Sequence, residues 1–108
     1  MPAYCYILTN KNKNVLYVGA TRHLIQRMVQ HKTKHFPNSF TAKYNCYHLM
    51  YYEEFEEYAQ ALEREQQLKA GNRKRKETLI NNQNPEWKDL AGSFATLGES
   101  HFYIEEIW

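Results

Sequence analysis

The stretch VLYVGATRHLIQRMVQH, residues 15–31, sets Tyr17, Arg27 and His31 around a single strand-to-helix turn. Arg27 borders the apolar stripe Leu24, Ile25, Met28 and Val29, and His31 stands beside it by i, i+4 geometry. A guanidinium fork suits two phosphate oxygens at once. A helix that opens directly after a strand also points free N–H groups at any bound anion. Gly19 ends the run Tyr17-Val18-Gly19, where the backbone must turn sharply or approach something closely. Arg27 reads equally as a surface arginine laid across the helix flank, paired with a carboxylate such as Glu65.

Glu65 is the residue most out of place. The helix expected over 56–70 has the apolar stripe Tyr58, Ala61, Leu62 and Leu68, and Glu65 falls in the middle of it. Glu63, Arg64 and Gln67 fall on the outer faces. A carboxylate aimed inward is costly unless it is paired or coordinated. Glu65 therefore has a buried cationic partner, or it lies at the floor of a site and holds a metal; periodicity leaves the two balanced.

Other chemistries find no support. His31 and His35 are four apart, but HKTKH lacks the glutamate of a zinc-protease helix, and its lysines oppose a dication. No GxSxG, P-loop or GxGxxG pattern occurs, so acyl transfer and a nucleotide cofactor are not expected. Cys5 and Cys46, each in an expected strand, lack zinc-site spacing and read as buried reduced thiols.

The elements that must position these residues follow from length and pattern. At 108 residues, 43% hydrophobic and 24% charged, the chain suits one folded domain. YCYILT at 4–9 reads as a strand buried on both faces, and NKNKN leads across a hairpin to VLYVG. A helix over 22–33 follows, with Thr21 as its N-cap. The segment 35–40 reads as loop, a third strand starts at 46, and Gly71 ends the 56–70 helix in the C′ role. A basic helix spans 72–82. The fold class is α/β of the α+β type: a small, three-stranded, mainly antiparallel sheet flanked by about three helices. Residues 1–90 form the domain, and 91–108 a tail that docks or is partly disordered.

The net charge of +2 is small, but KAGNRKRK at 69–76 holds five of the fourteen Lys and Arg. Such a run is either a solvated face or one end of a dipole that holds a polyanion. The N-terminus lacks a signal-peptide pattern and no run is long enough to span a membrane, so a cytoplasmic protein is expected. Nothing in the sequence bears on the oligomeric state.

Taken together, CYI at 5–7, YVG at 17–19, Arg27 ten residues after Tyr17, His31 four further on, and REQQLK at 64–69 resemble the GIY-YIG nuclease superfamily. NPEWKDL at 84–90 and FTAKYN at 40–45 look like its short stand-alone bacterial members, related to excinuclease catalytic domains. The resemblance covers residues 4–90 and implies a metal-dependent DNA endonuclease acting in repair, recombination or processing. The alternative is a nucleic-acid-binding module with weak or lost catalysis. A non-enzymatic interaction protein with a structural Glu65–Arg27 ion pair is a third possibility.

By this resemblance Glu65 would hold a single Mg²⁺ or Mn²⁺, and Arg27 would neutralise charge on the phosphoryl oxygens. Tyr6 or Tyr17 would orient or deprotonate the attacking water, with His31 accepting the tyrosine's proton. Lys43, Arg73, Lys74, Arg75 and Lys76 would contact DNA phosphates. Two departures stand out: the first motif lacks its glycine, and Ala20 occupies a position where some members carry lysine. Asn81, Asn82 and Asn84 compete for the family's asparagine.

Overall fold

A computed structural model describes residues 2–92. Of the expected tail, 91–108, only Ala91, which is buried against the Tyr6 face, and Gly92 are described; 93–108 lie outside the described residues.

The central element is β1 (Ala3–Thr9), which pairs antiparallel with β2 (Leu16–Thr21) on one side and β3 (His48–Phe55) on the other, in the order β2-β1-β3. A middle strand is covered on both faces, which is why YCYILT reads as nearly continuous apolar sequence. Alternation sends Cys5 and Ile7 to one face, where they pack with Val18, Leu68 and Ile80. Tyr6 and Leu8 go to the other, with Leu24, Met28, Cys46 and Leu49. Between Ile7 and Leu8 the pairing with β3 slips by one residue. Met50 is the extra residue, so Met50 and its neighbour Tyr51 both join the first cluster.

Four helices complete the described residues: α1 (Leu24–Lys32), α2 (Phe40–Tyr44), α3 (Tyr58–Ala70) and α4 (Arg73–Gln83). Leu68 of α3 and Ile80 of α4 cover the Cys5 face, whereas Leu24 and Met28 of α1 cover the Tyr6 face. The sheet is thus a middle layer. None of the described helices is long and apolar enough to cross a membrane.

Several local expectations are corrected. Thr21 is not the N-cap of α1, because it is still paired with Tyr4 as the last residue of β2. Its Oγ1 accepts from the His23 amide at 3.0 Å, and His23 precedes the first helical residue, Leu24. Segment 35–40 leads into a helix that the sequence pattern does not reveal: the Ser39 side chain caps α2 by accepting from the Ala42 amide at 3.2 Å. Cys46 lies outside β3, after Asn45 closes α2 in the left-handed conformation (φ 57°). Cys5 and Cys46 are both buried free thiols, and burial together with the charges of Glu53 and Glu65 pushes Cys5 up to about 12. Gly71 ends α3 in an extended conformation, φ −79° and ψ 163°, because Asn72 caps α4 immediately afterwards by accepting from the Arg75 amide. Arg64 is not an outer-face charge. It donates to both carboxylate oxygens of Glu53 on β3, at 2.8 and 3.2 Å, while the Tyr51 hydroxyl donates to the same carboxylate.

The end of α4 and the chain beyond it wrap the free side of β3. Gln83 exchanges hydrogen bonds with the Tyr52 backbone, the Leu90 amide donates to the Leu49 carbonyl, and Asp89 accepts from the Leu49 amide. Burial works against ionisation of Asp89, but hydrogen bonds from Lys32 and the Leu49 and Ala91 amides hold its carboxyl below the usual range. Asn84, 5% exposed, donates to the Met50 and Lys88 carbonyls and accepts from the Lys88 amide. Removing that amide strands buried backbone groups, each costing about 1–3 kcal/mol. Asn84→Ala is therefore expected to lose about 3 kcal/mol in urea denaturation, against less than about 0.5 kcal/mol for the exposed neighbour, Asn82→Ala.

Candidate active site

Tyr6 and Gly19 lie directly opposite each other in the β1–β2 ladder, so their side-chain positions share the α1 face. A Cβ at residue 19 would overlap the Tyr6 hydroxyl and Cζ. The glycine is needed for this close approach and not for a turn: it lies inside β2, and no described glycine has a positive φ. The Tyr6 ring thus lies over the bare backbone of the neighbouring strand.

From that position the Tyr6 hydroxyl is 3.1 Å from Nε2 of His31, in the last turn of α1. The other ring nitrogen, Nδ1, is 2.9 Å from Oγ1 of Thr41, which is 3.2 Å from Oγ of the capping Ser39. Tyr17 meets the His31 ring edge-on at 6.0 Å and stacks on Phe40, with centroids 5.8 Å apart and planes 26° apart. Arg27 lies one helical turn before His31. A cavity of about 130 Å³ opens between these residues, lined by Tyr17, Arg27, His31, Lys34, Phe40 and Thr41 among others.

The electrostatics of this cluster are uneven. Burial, aided by the positive charge of Arg27, lowers His31 to about 4, so its imidazole is neutral at pH 7. Burial also raises the Tyr6 phenol strongly; Tyr17 and Glu65 add to the effect and Arg27 opposes it. Arg27 itself forms no ion pair among the described residues. The Arg27–Glu65 pair of the structural alternative is not formed: Glu65 turns to its own helix and meets Lys69 Nζ at 3.3 Å. The Glu65 side chain is 17% exposed and that of Lys69 is 53% exposed, so the carboxylate is sheltered while its partner can swing away. Packing of α3 against β2 and β1 brings the Glu65 charge within electrostatic reach of Tyr6 and Cys5.

Among the described residues no group of three or more His, Cys, Asp or Glu side chains could close around a metal. A lone sheltered carboxylate does not fit a structural zinc site. It fits a hard cation such as Mg²⁺, which keeps most of its waters and takes one or two carboxylates plus substrate oxygens.

The basic residues separate into two groups. Arg73 is committed to Glu77 and to the Lys13 and Asn14 carbonyls of the β1–β2 loop, and Lys76 donates to the Gly71 carbonyl. Lys74 and Arg75 are exposed on α4. Lys43, on α2, lies over the Tyr44 ring beside the cavity. Ala20 is half-buried next to Gly19. Of the three asparagines, Asn84 is consumed by the backbone bonds described above, Asn81 accepts from the Trp87 indole, and Asn82 is exposed. Sequence reasoning missed Ser39, Thr41, Phe40 and Lys34. Their one local signal is a serine followed by a short helical turn.

The family model for the GIY-YIG catalytic domain matches residues 2–79. A search of curated proteins finds no match. Among solved structures, the solution NMR structure of a UPF0213 protein from Bacillus halodurans aligns with a TM-score of 0.52 at 24% identity, covering 82% of this chain and 93% of that one. At that identity the likeness is one of fold.

Two measurements test the cluster. The histidine pKa falls from 6.5 unfolded to about 4 folded, so between these values the unfolded chain binds more protons. Stability is then full above pH 6.5 and declines as pH falls toward 4, by at most about 3 kcal/mol. Denaturant titrations at stepped pH should show that decline, and His31→Gln should flatten it. Gly19→Ala should cost about 1–3 kcal/mol and displace Tyr6. The His31 ring nitrogen shifts, read by NMR, would then report loss of the Tyr6 hydrogen bond.

Proposed function

The chain belongs to the GIY-YIG family, a family of nuclease domains, and from that premise we propose that it is a metal-dependent DNA endonuclease. The observation that carries this reading is an arginine without an ion pair among the described residues, at the wall of a cavity beside a hydrogen-bonded tyrosine and neutral histidine. A guanidinium without a carboxylate is a poor structural element and a good receptor for phosphodiester oxygens.

Arg27 binds the two non-bridging oxygens and gains strength as negative charge builds on them. Tyr17, whose side chain lines the cavity, orients the attacking water. His31 Nε2 faces Tyr6, so the two form a proton-accepting unit: Tyr6 takes the water's proton as its own passes to Nε2. In that tautomer Nδ1–H donates to Thr41, which keeps the Nε2 lone pair turned toward Tyr6. Arg27 disfavours the resulting imidazolium, and an incoming phosphodiester offsets that charge. Glu65 would hold the Mg²⁺ or Mn²⁺, which supplies charge stabilisation at the leaving oxygen.

Lys43, Lys74 and Arg75 contact phosphates, while Arg73 and Lys76 mainly hold α4 in place. Phosphate contacts position a duplex without reading its sequence. Such a binding mode suits structure-guided cutting in repair, recombination or processing.

The test is plasmid nicking in Mg²⁺ or Mn²⁺ against EDTA. Arg27→Ala and Glu65→Ala are each expected to lower the rate by about 100-fold or more, with melting temperatures near the parent's. Nicking that survives in Glu65→Ala would overturn the metal assignment. Salt-sensitive binding without any nicking would support the binding-module reading instead.

A further inference from the structure

Beside the cavity the protein exposes a set of large apolar side chains that the proposed hydrolysis does not use. Phe36 is 52% exposed, Phe40 48% and Tyr44 41%. They gather at one side of the cavity: Phe40 and Tyr44 lie one turn apart on α2 with ring centroids 4.7 Å apart, Phe40 stacks on Tyr17, and Phe36 lines the same cavity as Phe40. Exposing three aromatics together costs solubility and contributes nothing to the core.

Cations surround the shelf. Lys34 and Arg27 line the same cavity, Lys43 lies 5.4 Å above the Tyr44 ring, and none of the three forms an ion pair among the described residues. Among the described residues no acidic side chain lines the cavity. Flat apolar faces interleaved with unpaired cations match one ligand chemistry, a polyanionic backbone carrying unpaired bases. A closed duplex has no base faces to offer, since they are stacked on each other along its length.

We propose that the Phe36–Phe40–Tyr44 shelf binds unpaired nucleotides, so that the site takes a single strand, or the unpaired segment of a branched or frayed duplex, with bases stacked next to the phosphate held by Arg27. This rests on the nuclease reading and adds the class of substrate to it. Tyr17 links the two parts: one edge meets the catalytic histidine, and its face supports Phe40.

Binding in EDTA, read by fluorescence anisotropy, separates the shelf from cleavage. Labelled oligothymidylate should bind more tightly than a blunt, fully paired GC-rich duplex of equal length. Phe40→Ala should weaken oligothymidylate binding about tenfold or more and leave duplex binding unchanged, while Phe40→Trp restores it. Lys43→Ala should lower the salt slope by roughly one ion, which Phe40→Ala should not do. A parallel titration with oligouridylate tells whether the strand is deoxyribose or ribose. Equal affinity of Phe40→Ala and parent for oligothymidylate overturns the inference, as does equal loss on both ligands. A parent that nicks duplex but does not bind oligothymidylate also overturns it and leaves the nuclease reading standing. Stacking-dependent binding with no cutting in any metal does the reverse.

Discussion

The site depends on a single steric fact, the fit of the Tyr6 ring over Gly19 across the β1–β2 ladder. Because the two residues are paired in register, the ring's place is set by the sheet and not by a loop. The hydroxyl then falls where the last turn of α1 presents His31. The histidine in turn fixes α2 through Thr41, and Ser39 both caps that helix and ends the hydrogen-bonded chain. A strand pair, two helices and the cavity between them are thus referred to one missing side chain.

The second organising feature is a charge imbalance. Several cations of this small protein are neutralised locally: Lys32 by Asp89, Arg64 by Glu53, Lys69 by Glu65 and Arg73 by Glu77. Arg27 is left without a counter-ion among the described residues, and its charge adds to the burial that depresses the neighbouring histidine. That arrangement is unfavourable for stability taken alone, and it makes the cavity receptive to an anion before any ligand arrives. The small net charge of +2 hides this, because acids elsewhere in the chain offset the cations of this wall.

Much of the arrangement was legible in the residues. The doubly buried strand, the hairpin, the inward Glu65 and the Tyr17–Arg27–His31 spacing all follow from patterns longer than one helical turn or one ladder pair. What escaped has a common cause in short range. A five-residue helix such as α2 is too brief to show a period, so Phe40 looked like a loop residue and Thr41 was given no element. Arg64 sits at an outer angle on the helical wheel, yet its side chain is long enough to reach Glu53 on the sheet. Gly71 suggested a left-handed stop, but the adjacent cap of α4 demanded an extended link. The Glu65–Lys69 pair follows an i, i+4 spacing, which an apolar stripe does not display.

The wrapping of β3 by residues 83–90 has a consequence for assembly and for dissection of the chain. A three-stranded sheet leaves two borders, and an uncovered border is a template on which another chain's backbone can zip. Here Gln83, Asp89 and Leu90 occupy the donors and acceptors along one of them. The family-matched region stops at residue 79, before any of these groups. The recognisable unit is therefore smaller than the self-contained one: a fragment trimmed to the match would keep every proposed catalytic residue and lose the selvedge that keeps the fabric from being extended by a neighbour.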